Sequence, residues 1–279
     1  MSYYLVLIQF IFAIVALFLF WKSMQYFRQT WRYKKLLATP TPSKYQKILN
    51  TLPHFHSLPP HLQKKIETRI LFFLDQKEFI ASGIQISDKM KVIIAFYASL
   101  VRLGFDLGDH DSVSTIIVYP DEFIVDGSLT QEGIHYQQRS ILAGQSAKGT
   151  VILSWQHILQ ELHEGSKENV IIHEFAHELD LEDGMPDGTP ELRTSAYPRY
   201  AAAFSNAFLI LTKQVKRNLI TKQSAFLGNY ALENEAEFFA VCSERFFMAP
   251  KSMQELFPAI YEELKSFYQL DTVEIFHTL

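Results

Sequence analysis

The amino-acid sequence predicts an α+β fold, and three observations carry that reading. Apolar residues recur at helical spacing over residues 60–107 and again over 200–268. Between these blocks lie short runs rich in β-branched residues, bounded by proline, glycine and aspartate. After them comes an H-E-x-x-H pattern, His173-Glu174-Phe175-Ala176-His177, inside an apolar, helix-compatible stretch. Helices, a small sheet, the motif helix and then more helices are segregated rather than alternating, which separates α+β from a doubly wound parallel sheet. The 279 residues, 48% of them hydrophobic, suffice for one large core or two small ones.

Taken in order, residues 3–21 form an uncharged run of about 19 residues, long enough to cross a bilayer as a helix. Tyr3, Tyr4, Phe20 and Trp21 stand at its ends as interface anchors. No lysine or arginine precedes the run and no small-residue cleavage site follows it, which argues against a signal peptide. Every charged residue before Glu67 is basic. By the positive-inside rule, residues 1–21 are a single-pass anchor in the inner (cytoplasmic) membrane, with the body facing the cytoplasm. Residues 22–59 read as a basic juxtamembrane segment and linker, broken by Pro40, Pro42, Pro59 and Pro60, with His54 and His56 in solvent. The body is then 60–279.

Leu62, Ile66, Ile70 and Phe73 make one helical face, and Met90, Ile93, Ile94, Tyr97, Ala98 and Val101 another, with Ser87-Asp88 as a cap. Strands are expected at 114–119, at 122–125 before Asp126-Gly127, and at 150–155, the last as an edge strand open to an extended peptide. The motif helix is expected over 166–180. Gly184, Pro186, Gly188 and Pro190 force a loop, and helices follow at 200–215, 233–247 and 253–268. This order suits a zincin.

One cysteine, Cys242, excludes an internal disulfide and any metal site built from several thiolates. The chain beyond the basic amino-terminal segment is strongly acidic, which argues against nucleic acid as a partner.

On a helix, His173 and His177 lie one turn apart on one face and can offer two imidazole nitrogens to one metal ion. Glu174 can then take a proton from water held at that metal, as in zinc peptidases. A third protein ligand is needed. Positions 180 and 183 hold Asp180 and Asp183, which rules out the metzincin spacing, and the only later histidine is His277. A carboxylate on a later helix is therefore expected. Glu237, between Ala236 and Ala240 in an apolar stretch, is favoured over Glu233, with Glu244 as an outside candidate or a rim salt bridge. Asp180 is read either as an acceptor for a ligand imidazole or as a loop partner at the helix end.

The chain resembles the Mlc titration factor A family of glucose-regulated zinc peptidases. The likeness is carried by 62–79, by Val118-Tyr119-Pro120-Asp121-Glu122-Phe123, by Val151-Ile152-Leu153-Ser154-Trp155, by 173–180 and by 237–247, and it covers roughly 60–268. It implies a gluzincin fold, one Zn²⁺ per chain and aminopeptidase-type hydrolysis of small substrates. It carries the metal-binding glutamate onto Glu237 and an active-site tyrosine onto Tyr230, whose phenol would donate to the oxyanion. A transcriptional repressor, Mlc, is implied as a protein partner. The usual member is soluble, so the apolar segment 3–21 is a departure. Two functions stay open: a membrane-anchored zinc peptidase acting on peptides or proteins, and a regulatory protein that sequesters a repressor and keeps zinc for structure.

Overall fold

The computed structural model describes residues 2–106, 112–121, 123–131, 134–142, 144–147, 149–163 and 165–277, with backbone alone at Ser2, Leu5, Gln29 and between 123 and 147. A 36-residue helix α1 (Ser2–Leu37) opens the chain. It passes through the expected juxtamembrane segment without a break. Its last turns dock on the body: Tyr33 is buried edge-on against Phe72, and Arg32 pairs with Asp75 at 2.8 Å.

The expected linker is part of the core instead. Two short helices, α2 (Ser43–Leu49) and α3 (Pro53–Ser57), bury Leu49, Leu52, Phe55 and Leu58. Pro42 caps α2 and Pro53 starts α3, positions where a missing amide costs nothing. His54 is buried against Tyr97 and Phe276, and burial pushes its pKa down to about 4.

Helix α4 (Pro60–Gln76) buries Ile66, Ile70 and Phe73, as its spacing requires. A short strand β1 (Glu78–Ala81), not anticipated, follows directly. Ser87 accepts from the Met90 amide to start α5 (Asp88–Val101), which is apolar on every side and buried on every side beyond its first turn.

The sheet continues with β2 (Thr115–Tyr119), a hairpin of β3 (Phe123–Gln131) and β4 (Ile134–Leu142), then β5 (Gly144–Ala147) and β6 (Thr150–Ser154). Its order is β1-β2-β6-β5, parallel except for β5, and β3 pairs with β4 as a separate ribbon. Ile116, Val118, Val151 and Leu153 point into the core. Two expectations change here. The β6 strand is internal, because β5 covers it, and β3 runs on through Asp126-Gly127 instead of ending there. Glu122, where that strand was expected to begin, lies outside the described residues.

Helices α6 (Trp155–Glu161) and α7 (Val170–Asp180) lead to the motif, α7 being four residues shorter at its start than expected. Then come α8 (Tyr197–Lys216), α9 (Lys222–Leu227), α10 (Glu235–Met248), α11 (Pro250–Leu256), α12 (Pro258–Tyr268) and α13 (Thr272–Ile275). The single helix expected over 253–268 is two, because Pro258 has no amide to continue it. The body is thus a helix-dominated mixed fold with a small, mainly parallel sheet and one apolar amino-terminal helix.

Candidate metal centre

Helix α7 starts where its free amides find acceptors. Asn169 caps it through the Ile172 amide at 3.1 Å, Glu161 accepts from the Val170 amide at 2.7 Å, and Glu244 accepts from the Asn169 amide at 2.6 Å. Ile171, Ile172, Phe175 and Leu179 then bury the helix, which turns His173 and His177 toward α10. On α10, the Asn234 side chain accepts from the Glu237 amide at 2.9 Å, which places Glu237 in the first turn, facing the two imidazoles.

Three donor atoms meet. His173 Nε2 and His177 Nε2 are 3.1 Å apart, and Glu237 Oε2 lies 3.1 Å from the first and 3.3 Å from the second. Donors bound at about 2.0–2.1 Å to one tetrahedral ion stand about 3.3 Å apart, so this spacing fits a single metal with one position left open. Among the described residues these three form the group able to hold an ion. Glu233 is exposed and lies outside α10, in the short turn that Asn234 separates from it. It is therefore not on the face of Glu237, contrary to the expectation of one continuous helix.

The charge balance points the same way. Burial disfavours a charged His173, yet Glu237 and Glu244 outweigh it and raise its pKa to about 10. Burial also works against the Glu237 carboxylate, but the two imidazoles hold it well below the usual carboxylate range. Glu174 is pushed up to about 8 by burial, opposed by His173 and reinforced by Glu237, Glu178 and Glu244. Glu237 and Glu244 flank the His173 ring with Glu174 beside them, a cluster that calls for positive charge, which a proton on His173 supplies in part and a dication would supply further.

Glu244 was the role least legible in the sequence. It is buried, two helical turns after Glu237, with Oε2 3.5 Å from His173 Nδ1. It lies outside the group of three donor atoms and is buried rather than at a rim, on the far side of the His173 ring. The i, i+7 spacing from Glu237 is the signal that could have found it. Arg245 steadies this carboxylate at 3.8 Å and ties the 167–168 loop to the end of α9 by bonding to Lys167, Glu168 and Phe226.

Asp180 takes the loop role. Its Oδ2 accepts from the Gly188 amide at 2.8 Å, and Tyr200 donates to the Gly188 carbonyl at 2.7 Å. Gly188 has φ +80, and a Cβ there would lie 2.3 Å from the Glu235 carbonyl, two residues before Glu237. The 184–196 loop is thus wedged between the two helices that carry the triad.

Tyr230 sits in a short turn before α10 with its ring 5.8 Å from that of His173, centre to centre. Burial and Glu237 raise its pKa far above neutrality, so the phenol keeps its proton. It lines a cleft of about 350 Å³ together with His173, Glu174, Val241 and Glu244. A larger cavity of about 720 Å³ lies beyond the carboxyl end of α7, near Arg102, Glu182 and Arg199, and holds none of the triad.

The model of the glucose-regulated metallo-peptidase M90 family matches residues 27–269. The chain belongs to this family. It is 34% identical over 248 residues to an uncharacterised protein of Synechocystis sp., covering 86% of this chain and 89% of that one. It is 30% identical to Mlc titration factor A of Escherichia coli, covering 86% and 91%, and 32% identical to that of Pectobacterium atrosepticum, covering 71% and 76%. The M90 match begins inside α1 and takes in α2 and α3, in keeping with their burial in the core.

Proposed function

We propose that this M90 family member is a zinc-dependent peptidase of aminopeptidase type, built on the gluzincin plan. The observation that carries the proposal is the His173–His177–Glu237 triad at tetrahedral spacing, with Glu174 beside it in an open cleft. Two imidazoles and one carboxylate suit zinc, which when bound polarises a carbonyl and acidifies water. Glu174 accepts the proton of the attacking water and returns it to the leaving amine. Tyr230, protonated at neutral pH, donates to the carbonyl oxygen as negative charge develops there. Glu244 fixes the ring plane of His173.

The same proposal places residues 1–21 in the inner membrane as a single-pass anchor, with the basic side and the body in the cytoplasm. The most apolar stretch of α1 is wholly exposed, as a lipid-facing helix is. The substrate is then a peptide or protein on the cytoplasmic side.

A second reading is supported by the relatives named Mlc titration factor A: sequestration of a repressor, with zinc kept for structure. One experiment separates the two. Chelation should abolish peptide turnover by the full-length protein, and zinc should restore it. Glu237→Ala should bind no zinc and stay inactive, and Glu233→Ala should behave as wild type. Undiminished turnover by zinc-free protein would rule out the peptidase mechanism. Stoichiometric zinc without turnover, together with capture of a repressor, would favour the second reading.

A further inference from the structure

Two long stretches of this acidic chain carry no acid at all. One is residues 1–66, around α1. The other, 192–232, is the longest in the body and spans α8 and α9. Its cations gather at the carboxyl end of α8. Lys213, Lys216, Arg217 and Lys222 are exposed, and none has an ion-pair partner among the described residues.

Aliphatic side chains are interleaved with them. On α8, Leu209 and Ile210 are 51% and 54% exposed and share a face with Lys213, one turn on. The helix then closes in a Schellman turn: the Asn218 amide bonds to the Val215 carbonyl, the Leu219 amide bonds to that of Gln214, and Asn218 takes φ 56. In such a turn the residue after the left-handed position commonly folds back on the helix. Here it does not: Leu219 is 55% exposed and Ile220 83%. A fixed turn thus presents two exposed aliphatic side chains, with exposed Lys216, Arg217 and Lys222 within four residues of them in sequence and Lys213 one turn earlier on α8.

We propose that this face seats on a bilayer surface bearing anionic headgroups. The cations match the headgroup charge, and the aliphatic tip matches the apolar layer beneath. Nucleic acid would engage the cations but leave the four aliphatic side chains without use. The proposal goes beyond the peptidase reading and does not rest on how α1 is held.

The test uses full-length protein with Ile220→Cys carrying an environment-sensitive fluorophore. Cys242 is fully buried and stays unlabelled. With vesicles containing phosphatidylglycerol at low salt, the emission should shift to the blue. It should not shift with phosphatidylcholine alone, and added salt should reverse the shift. Removing Lys213, Lys216 and Arg217 in turn by substitution with Gln should lower the docked-to-undocked ratio about fivefold each. A label at Lys89→Cys, on the exposed start of α5, should stay unshifted. The proposal is overturned if position 220 reads the same in both vesicle types, if position 89 shifts equally, or if the shift requires an added acidic protein or nucleic acid instead of lipid.

Discussion

Glu244 Oε2 lies 3.5 Å from His173 Nδ1, on the side of the ring opposite to Glu237. One imidazole is therefore held between two carboxylates of the same helix, α10. The arrangement fixes the ring before any metal arrives and raises the basicity of the nitrogen that faces the triad. Glu244→Gln keeps an acceptor for the Asn169 amide but removes the charge. Zinc affinity should fall about 10- to 100-fold. Competition with a chelator of known affinity measures this; unchanged affinity would reduce Glu244 to a cap for the segment before α7.

Gly188 sets the spacing between α7 and α10. A methyl group there meets the Glu235 carbonyl at 2.3 Å, in a left-handed backbone conformation that side chains disfavour. Gly188→Ala should cost about 1–3 kcal/mol from the backbone conformation alone. It should also displace the start of α10, so zinc affinity should fall with stability. Thermal melts with and without zinc check this. A variant that melts lower but binds zinc at wild-type affinity would mean that the loop does not position Glu237.

The metal-free protein should lose stability as pH rises. The folded-state pKa of His173 is raised to about 10 and that of Glu174 to about 8. Both groups bind protons more tightly folded than unfolded: the Glu174 contribution is complete below its unfolded pKa of 4.5 and is lost as pH rises through about 8, and that of His173 is complete below its unfolded 6.5 and is lost as pH rises through about 10. Glu237, held low, acts in the opposite direction, but only below the ordinary carboxylate range. Chelator-treated protein should therefore melt at a higher temperature at pH 6 than at pH 9, and saturating zinc should raise the melt most at the higher pH. Equal zinc stabilisation at both values would contradict this charge balance.

The parts of this molecule that were legible in sequence are those where one residue type has few alternatives. Two histidines at i and i+4 in an apolar helix need a reason, and so does Glu237 on a face of small residues. The structure brings the three together. Other features depend on partners distant in sequence. The prolines between 40 and 60 read as breaks, yet Pro42 and Pro53 stand at helix starts, Leu49, Leu52, Phe55 and Leu58 are buried in the core, α2 packs on α5, and Phe55 meets Phe96 of α5 edge-on. Strand β1 has four residues and no turn before it, so nothing local separates it from α4; its pairing with β2 makes it a strand. Thr150–Ser154 reads as an edge strand until β5 covers it. Glu244 looks like a surface carboxylate until α7 is laid against α10.

The central claim is that His173, His177 and Glu237 hold a metal for a reaction in which Glu174 moves the proton. The most direct measurement is zinc content and peptide turnover of full-length wild type and Glu174→Gln, side by side. The account predicts one zinc per chain in both, with turnover in the wild type alone, because the variant keeps the ligands and loses the base. Peptide cleavage by Glu174→Gln at the wild-type rate would place the chemistry elsewhere.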